Sequence, residues 1–582
     1  MPYIQMQDVR LGMDRKRKLR AVGELGSAWT IKNGHLTRGG DVDRRKSFVK
    51  VDVKFPSTTD GLFVINNVLY TLGYDSGEAG NVPTGVTHLL TQHPTPATAI
   101  LEVKDGYAFD GTLYSIIEFT DGNIYHYYGT DRVVDWDTLS TNIGDNDAVA
   151  TALAAAINKS PTVNATSSGA VVTVTGELDD VDYTITAATV NNGSNADQTL
   201  TVAQTQASGG AQPEINTVTV GGTFETVDQF SVTIQGTEVY TVTGGSSSTG
   251  TSVLTYKQKL YSTAASNLYF SSLNAPTQWI SGIDYGFINM ASQTGGQETL
   301  VVAEEYQGLM AIFSENSIRI WSISESADTN VFIQNLRNTG TTAPKSVVPY
   351  GNNDVFYLNN SGIRSIKARS SSDAAYVSDV GTNIDTHVRE FMNMLTEAQI
   401  SKAFGIIEPI DGRFWIAIEN RIYVLSYFPS AKITAWSFYD LDFTVKSFAR
   451  VGERIYARGT DALGDDYLYL YGGTNDDQYA DDGEDIMEIE FPYFSANDPA
   501  GFKGLQGFDI VAINEWSVST LPDPDDVTKI IDQGVSVGTS YGKPKYGATG
   551  MSSLFAVNLS CSKAGPATFS ALAMHYQSVK SD

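Results

Sequence analysis

Gly538, Ser540 and Gly542 follow the Gly-x-Ser-x-Gly spacing that presents a serine hydroxyl on a sharp strand-to-helix turn in some hydrolases. That chemistry needs a helix after the serine and a base beside it. The stretch Lys543-Pro544-Lys545-Tyr546-Gly547 cannot start a helix, and His575 is a single histidine in a strand-like segment. A Gly-rich loop is the expectation here. The six histidines are His35, His88, His93, His126, His387 and His575, and none pairs at metal-ligand spacing. His88 and His93 are close, but they lie in a Pro-rich loop without cysteine. There is no Gly-x-x-x-x-Gly-Lys-Ser/Thr phosphate loop and no sialidase-type Asp-box repeat. The aromatics alternate along strands instead of interleaving with basic residues, so single-strand nucleic-acid binding is not indicated. The residues therefore predict no catalytic, cofactor or metal site and no enzyme.

Charge is the stronger signal. The 582 residues carry a net charge of −27, spread unevenly. Residues 1–54 hold 13 Lys/Arg against 6 Asp/Glu, and the remainder holds 26 against 60. Arg10, Arg15, Lys16, Arg17, Lys18, Arg20, Arg44 and Arg45 are the candidate partner-docking residues of this basic head. At the other extreme, residues 461–490 carry 11 acidic residues and no Lys or Arg. Asp476, Asp477, Asp481, Asp482 and Asp485 are its densest group. A hard cation would relieve their repulsion, but they miss the calcium-loop register, so a solvated loop is expected. Such a loop would also repel DNA passing a wall.

These charges decorate a recurring element. Ile410 to Tyr427 alternates apolar and polar residues around Asp411-Gly412 and Asn420, the pattern of paired antiparallel strands. Six further stretches read alike, beginning at Thr59, Asp110, Tyr256, Tyr306, Asn352 and Gly452. Most neighbours stand roughly 45–60 residues apart, the range of four-stranded propeller blades. The gap between Gly129 and Tyr256 interrupts the series, and Lys159 is the only basic residue from Val133 to Thr255. That gap predicts an inserted domain. Its helix is capped at Asp145, Asn146 or Asp147 and buries Val149, Leu153, Ala156 and Ile157. Strands follow from Ala170 to Gly244, giving a small α+β module and then a second β unit. Another helix is expected after Thr382 or Asn383, with Ile384, Val388, Phe391, Met392 and Leu395 inward against the propeller rim.

The expected fold is mainly β: a propeller of about seven blades with an inserted α+β/β domain and a C-terminal β domain. The expected limits are a basic arm at 1–47, first blades at 48–134, the insert at 135–251, remaining blades at 252–484, and a terminal domain at 485–582. Cys561 is the only cysteine, so no intrachain disulfide forms, which fits folding in a reducing cytoplasm. No apolar run approaches ~18 residues, and the N-terminus lacks a secretory signal pattern.

Ala28, Asn33, Gly34, Leu36, Arg38, Gly39, Gly40 and Arg45 form an opening that resembles that of short-tailed phage tail nozzle proteins, the tail tubular protein B family. Related podophage tail-stabilisation proteins share the style. The resemblance covers most of the chain in layout and few residues beyond the opening. Asn267 to Trp279 also resembles a blade segment of these proteins. The resemblance implies a structural virion subunit made in the host cytoplasm. It implies a homohexameric ring that docks on a tail adaptor, holds fibres or spikes, and passes genomic double-stranded DNA without sequence-specific binding. The basic arm would face the adaptor, and the acidic residues would lie at the distal gate. The alternative function is a propeller-type glycan hydrolase or a carbohydrate-binding adhesin of a phage tail.

Overall fold

The computed structural model describes residues 2–579, except 8, 18–19, 21–25, 79, 94–97, 121, 134, 137–145, 159, 191–197, 224–227, 244–249, 281, 291–297, 327–328, 352–353, 369–374 and 542–545. The chain is mainly β, and seven consecutive small sheets form a closed ring. Their innermost strands are Thr59–Ile65, Ile100–Phe109, Gly250–Tyr256, Leu300–Tyr306, Val348–Tyr350, Phe404–Ile407 and Phe443–Val451. Each lies against the next, and the seventh lies against the first. This is a seven-bladed β-propeller. Blade one has three strands, the third parallel to the second. Every other blade has four within the ring.

Local chemistry sets the hairpins. In blades one to four the first corner needs two consecutive residues in the left-handed region. Asn66-Asn67, Asp110-Gly111, Lys257-Gln258 and Gln307-Gly308 supply them, all with φ between 45° and 74°. That geometry matches the twist of the flanking strands, whereas ordinary turns would splay them. Apolar residues from facing blades then interlock. Leu254, Tyr261 and Leu268 of blade three meet Ala303, Met310 and Trp321 of blade four in one buried cluster.

The ring closes with a strand from the N-terminal side. Phe48–Lys54 runs antiparallel to Asp466–Tyr471 and supplies the fourth strand of blade seven. The chain then turns directly into blade one. The last blade is thus completed by residues about to begin the first.

The insert leaves after blade two and returns at Gly250. Its helix, Asn146–Ile157, buries Val149, Leu153 and Ile157 fully, as the periodicity predicts. Among the described residues its strands do not form a separate second β unit. Ile215–Gly221 runs between Val171–Gly176 and Thr199–Gln206, and Gln229–Ile234 pairs with Ile185–Val190. All share one core with the helix.

The N-terminal segment is not an extended arm. Tyr3–Gln7 pairs with Thr568–Val579 in a seven-stranded sheet. Thr30–Lys32 lies between the outer strand of blade six, Ile433–Asp440, and Met487–Glu490 of the terminal domain. Blade six, this N-terminal strand and the terminal strands therefore form one nine-stranded sheet. Met6, Val9, Met13, Ile31 and Leu36 enter the same core as Phe414, Trp436, Leu559 and Phe569. Burying these side chains is the reason the segment does not hang free. The terminal domain is accordingly built from both chain ends. The second helix, Asp385–Met392, packs Val388, Phe391 and Met392 into this core. Its cap residue is Ile384, which makes no side-chain cap bond, so neither Thr382 nor Asn383 caps it. Among the described residues no helix is long and apolar enough to cross a membrane.

Ring closure carries a stability prediction. Leu468 is fully buried on the closing blade, in the seam with Phe55 and with Leu62 and Val86 of blade one. Leu468→Ala should cost about 2–5 kcal/mol in urea unfolding. A loss of less than about 0.5 kcal/mol, the range of an unremarkable surface change, would show that the seam does not hold the ring.

Candidate functional site

A cavity of about 530 Å³ lies on the propeller axis. Innermost strands build most of it, joined by Leu113 from the second strand of blade two and by Pro344, Lys345 and Val347 just before blade five. Leu62, Phe63, Leu113, Val302, Val347, Phe404 and Phe448 make an apolar belt. Asp105, Tyr107, Glu304, Lys345 and Arg450 project among them.

Two aspartates near the axis staple neighbouring blades. Asp60 of blade one accepts the Val103 N–H of blade two at 2.7 Å. Asp105 of blade two accepts the Val253 N–H of blade three at 2.8 Å. Lys345, just before blade five, crosses the axis and donates to the Val103 carbonyl at 3.2 Å. Burial would raise the Asp60 pKa, but Arg458, the Val103 N–H and Lys345 outweigh it and hold the carboxyl below its ordinary value. Asp105 is pushed up to about 6 by burial, against the Val253 N–H and Lys345. Glu304 is pushed up to about 8, first by burial and then by the charges of Asp105 and Glu305, with the Glu305 N–H opposing. Tyr107 is raised by burial and by Glu304, Glu305 and Asp105. Perturbed carboxyls converging in an apolar cavity mark a binding site more often than an arbitrary surface does. Neither these residues nor their convergence is visible in the sequence, because they come from different blades.

The basic candidates divide into two groups. Arg10, Lys16 and Arg17 are exposed, and Lys18 lies outside the described residues. Arg15 and Arg20 are half-buried against their own chain, and Arg44 and Arg45 are buried, so these last two are not exposed to dock a partner as expected. Arg15 sits 4.2 Å over the Trp29 ring and donates to the Trp29 carbonyl at 2.8 Å. Arg20 donates to the Phe491 carbonyl at 2.8 Å and to the Asn558 side chain. Arg44 is only 2% exposed and donates to the carbonyls of Glu484, Asp485, Lys563 and Gly565. Arg45, equally buried, pairs with the Asp485 carboxylate. It also donates to Asn33 Oδ1 at 3.0 Å and to the Asp440 carbonyl at 3.1 Å.

The acidic candidates scatter likewise. Asp485 is consumed by Arg45. Asp476 pairs with Lys46 at 2.7 Å. Asp482 accepts the Ala564 N–H at 2.7 Å, with Lys563 beside it at 3.5 Å. Of the five, Asp477 and Asp481 stand exposed with no ion pair among the described residues. None of the five lines the axial cavity.

Ser540 is buried in the terminal domain. Its hydroxyl accepts the Ile510 N–H at 2.9 Å and donates to Asp509 Oδ1 at 3.2 Å. His575 Nε2 meets the other Asp509 oxygen at 2.9 Å. The aspartate stands between serine and histidine, so the imidazole cannot take the serine proton. Asp509 is a member that no sequence pattern singles out. Among the remaining histidines, His126 stacks on Trp136 at 3.9 Å, and His35 and His387 bond Tyr439 and Tyr423. Among the described residues no three metal-ligating side chains cluster.

No protein-family model matches the chain, and no curated protein matches it. Three solved structures align with parts of it. The AfRom2 CNH domain is 11% identical, with a TM-score of 0.22, over 42% of this chain and 90% of that one. The Malassezia sympodialis allergen Mala s 1 is 13% identical, with a TM-score of 0.24, over 42% and 85%. The Neurospora crassa Pan2 WD40 domain is 9% identical, with a TM-score of 0.23, over 52% and 86%. Likenesses at these scores decide nothing, and the seven-bladed ring stands on the strand pairing above.

Two expectations follow from the site. Arg45→Ala leaves Asp485 and Asn33 without their buried partner and should cost about 3–5 kcal/mol in chemical denaturation. A cost below about 1 kcal/mol would mean that water replaces the guanidinium freely. Glu304 is neutral in both folded and unfolded chains below its ordinary value of 4.5, and above about 8 the folded chain must hold it ionised. Its burden on stability therefore grows with pH across that window. Glu304→Gln should match the wild type at pH 4.5 and exceed it by about 1–3 kcal/mol at pH 9. An advantage that stays constant with pH would contradict the shift.

Proposed function

We propose that the chain is a structural subunit of the tail nozzle of a short-tailed bacteriophage. The observation that carries this reading is the place of the residues behind the resemblance. Asn33, Gly34 and Arg45 meet at the junction of propeller, N-terminal segment and terminal domain. Asn33 has φ 53° and Oδ1 accepts both the Asp440 N–H at 3.1 Å and the Arg45 Nε–H. Its amide donates to the Ile486 carbonyl at 3.1 Å. A Cβ at Gly34 would press on the Met487 side chain at 2.8 Å. An opening motif spent on fixing two domains suits a subunit whose work is geometric.

In this reading the subunits form a sixfold ring below a tail adaptor, flanked by fibres or spikes, in the virion tail. The DNA path is the hole of the ring, not the axis of each propeller. Lys345 crosses that axis, and a 530 Å³ cavity cannot admit a duplex whose major groove alone is about 12 Å wide. The acidic body keeps the passing phosphates from sticking, and it attracts a basic patch. Among the candidate docking residues, Arg10, Lys16 and Arg17 are exposed and would face an acidic adaptor surface.

Negative-stain images of the chain with its adaptor should show sixfold rings with a central hole. Reversing Arg10, Lys16 and Arg17 to Glu should weaken adaptor capture about tenfold at low salt, with the melting temperature unchanged. A stable trimer that releases reducing ends from host glycan would sink the nozzle reading.

A further inference from the structure

We propose that the axial cavity binds a small organic ammonium ion, such as a short diamine. This goes beyond the nozzle reading and does not rest on it. The cavity, about 530 Å³, is of the size that encloses small ligands. Its lining joins two features that suit a cationic amine. One is aromatic: Phe63, Tyr107, Phe404 and Phe448 all border the same space. Ring faces attract cations electrostatically, more strongly when water is excluded. The other is Glu304. Its Oε1 accepts the Glu305 N–H at 3.0 Å, and no described residue donates to its other oxygen. That acceptor stands in the cavity wall without a donor of its own.

The remaining charges do not fill this need. Lys345 lies near Asp60 and Asp105 and donates to the Val103 carbonyl. Arg450 is exposed at the rim. Asp105 spends its oxygens on the N–H groups of Gly106 and Val253. A ligand ammonium would take Glu304 as its counter-ion and lie against the Tyr107 ring, with its methylenes on Leu113 and Val302. A bare metal ion fits less well, because no three ligating side chains gather among the described residues.

Binding of this kind has a proton signature. Glu304 is largely protonated at neutral pH, so pairing with an ammonium expels its proton to solvent. Calorimetry of the full chain with 1,4-diaminobutane at pH 7 should show saturable binding, with an enthalpy that varies with the ionisation heat of the buffer. Sodium chloride at matched ionic strength should give no saturable heat. Glu304→Gln should weaken binding about tenfold or more and abolish the buffer dependence. Tyr107→Leu should weaken it several-fold and leave the buffer dependence in place. Both variants must retain the wild-type far-ultraviolet spectrum and a cooperative melt. No saturable heat up to about 10 mM diamine, or binding unchanged by Glu304→Gln, overturns the proposal. Ring assembly, read by light scattering, is a separate result and tests only the nozzle.

Discussion

The Arg45–Asp485 pair, with Asn33 beside it, is the contact on which the two-part architecture depends. A guanidinium with 2% of its surface exposed has given up nearly all its water. Partners must replace every hydrogen bond, because an unpaired buried charge costs several kcal/mol. Here they come from three places: Asn33 and Lys46 on the N-terminal segment, Asp440 at the end of blade six, and Asp485 before the terminal strands. The apolar core would tolerate small slides between propeller and terminal domain. A fork of donors aimed at fixed oxygens would not, since its planar geometry matches only one arrangement. The pair thus fixes relative position more than it adds stability.

The same economy appears in the path of the chain. Thr30–Lys32 is only three residues long and yet joins blade six to Met487–Glu490. Eighteen residues later the chain closes the propeller as the fourth strand of blade seven. One N-terminal segment therefore ties the terminal domain to the ring and the ring to itself. Neither tie can form until residues more than 400 positions away are in place. Such non-local pairing makes folding slow and unfolding cooperative.

The blade hairpins were legible because period-two alternation and turn residues act locally. So was the helix at Asn146–Ile157, whose buried Val149, Leu153 and Ile157 recur at helical spacing. The N-terminal segment misled for the opposite reason. Arg44 and Arg45 read as surface charge, since a sequence does not show that carbonyls hundreds of residues away will surround them. Three-residue strands such as Gly34–Leu36 are too short to show any period. The second β unit of the insert misled differently: its strands were visible, but their partners were not. Pairing order is a property of the sheet and not of any strand within it.

The axial carboxyls show how a repeat creates a site by breaking its own rule. At the first two seams the rule is a carboxylate that accepts the N–H of the next innermost strand: Asp60 to Val103, then Asp105 to Val253. A bridge of that length suits aspartate. At the next seam Thr251 reaches the Leu300 carbonyl instead, at 3.2 Å. Blade four then places Glu304, not aspartate, at the axis. The longer side chain turns back to the N–H of Glu305 and leaves an oxygen unspent. Two N–H groups hold the Asp105 carboxylate and oppose the effect of its burial. Glu304 has one such donor and two acidic neighbours, and burial with those neighbours pushes it up to about 8. The difference of one methylene separates a staple from a binding group.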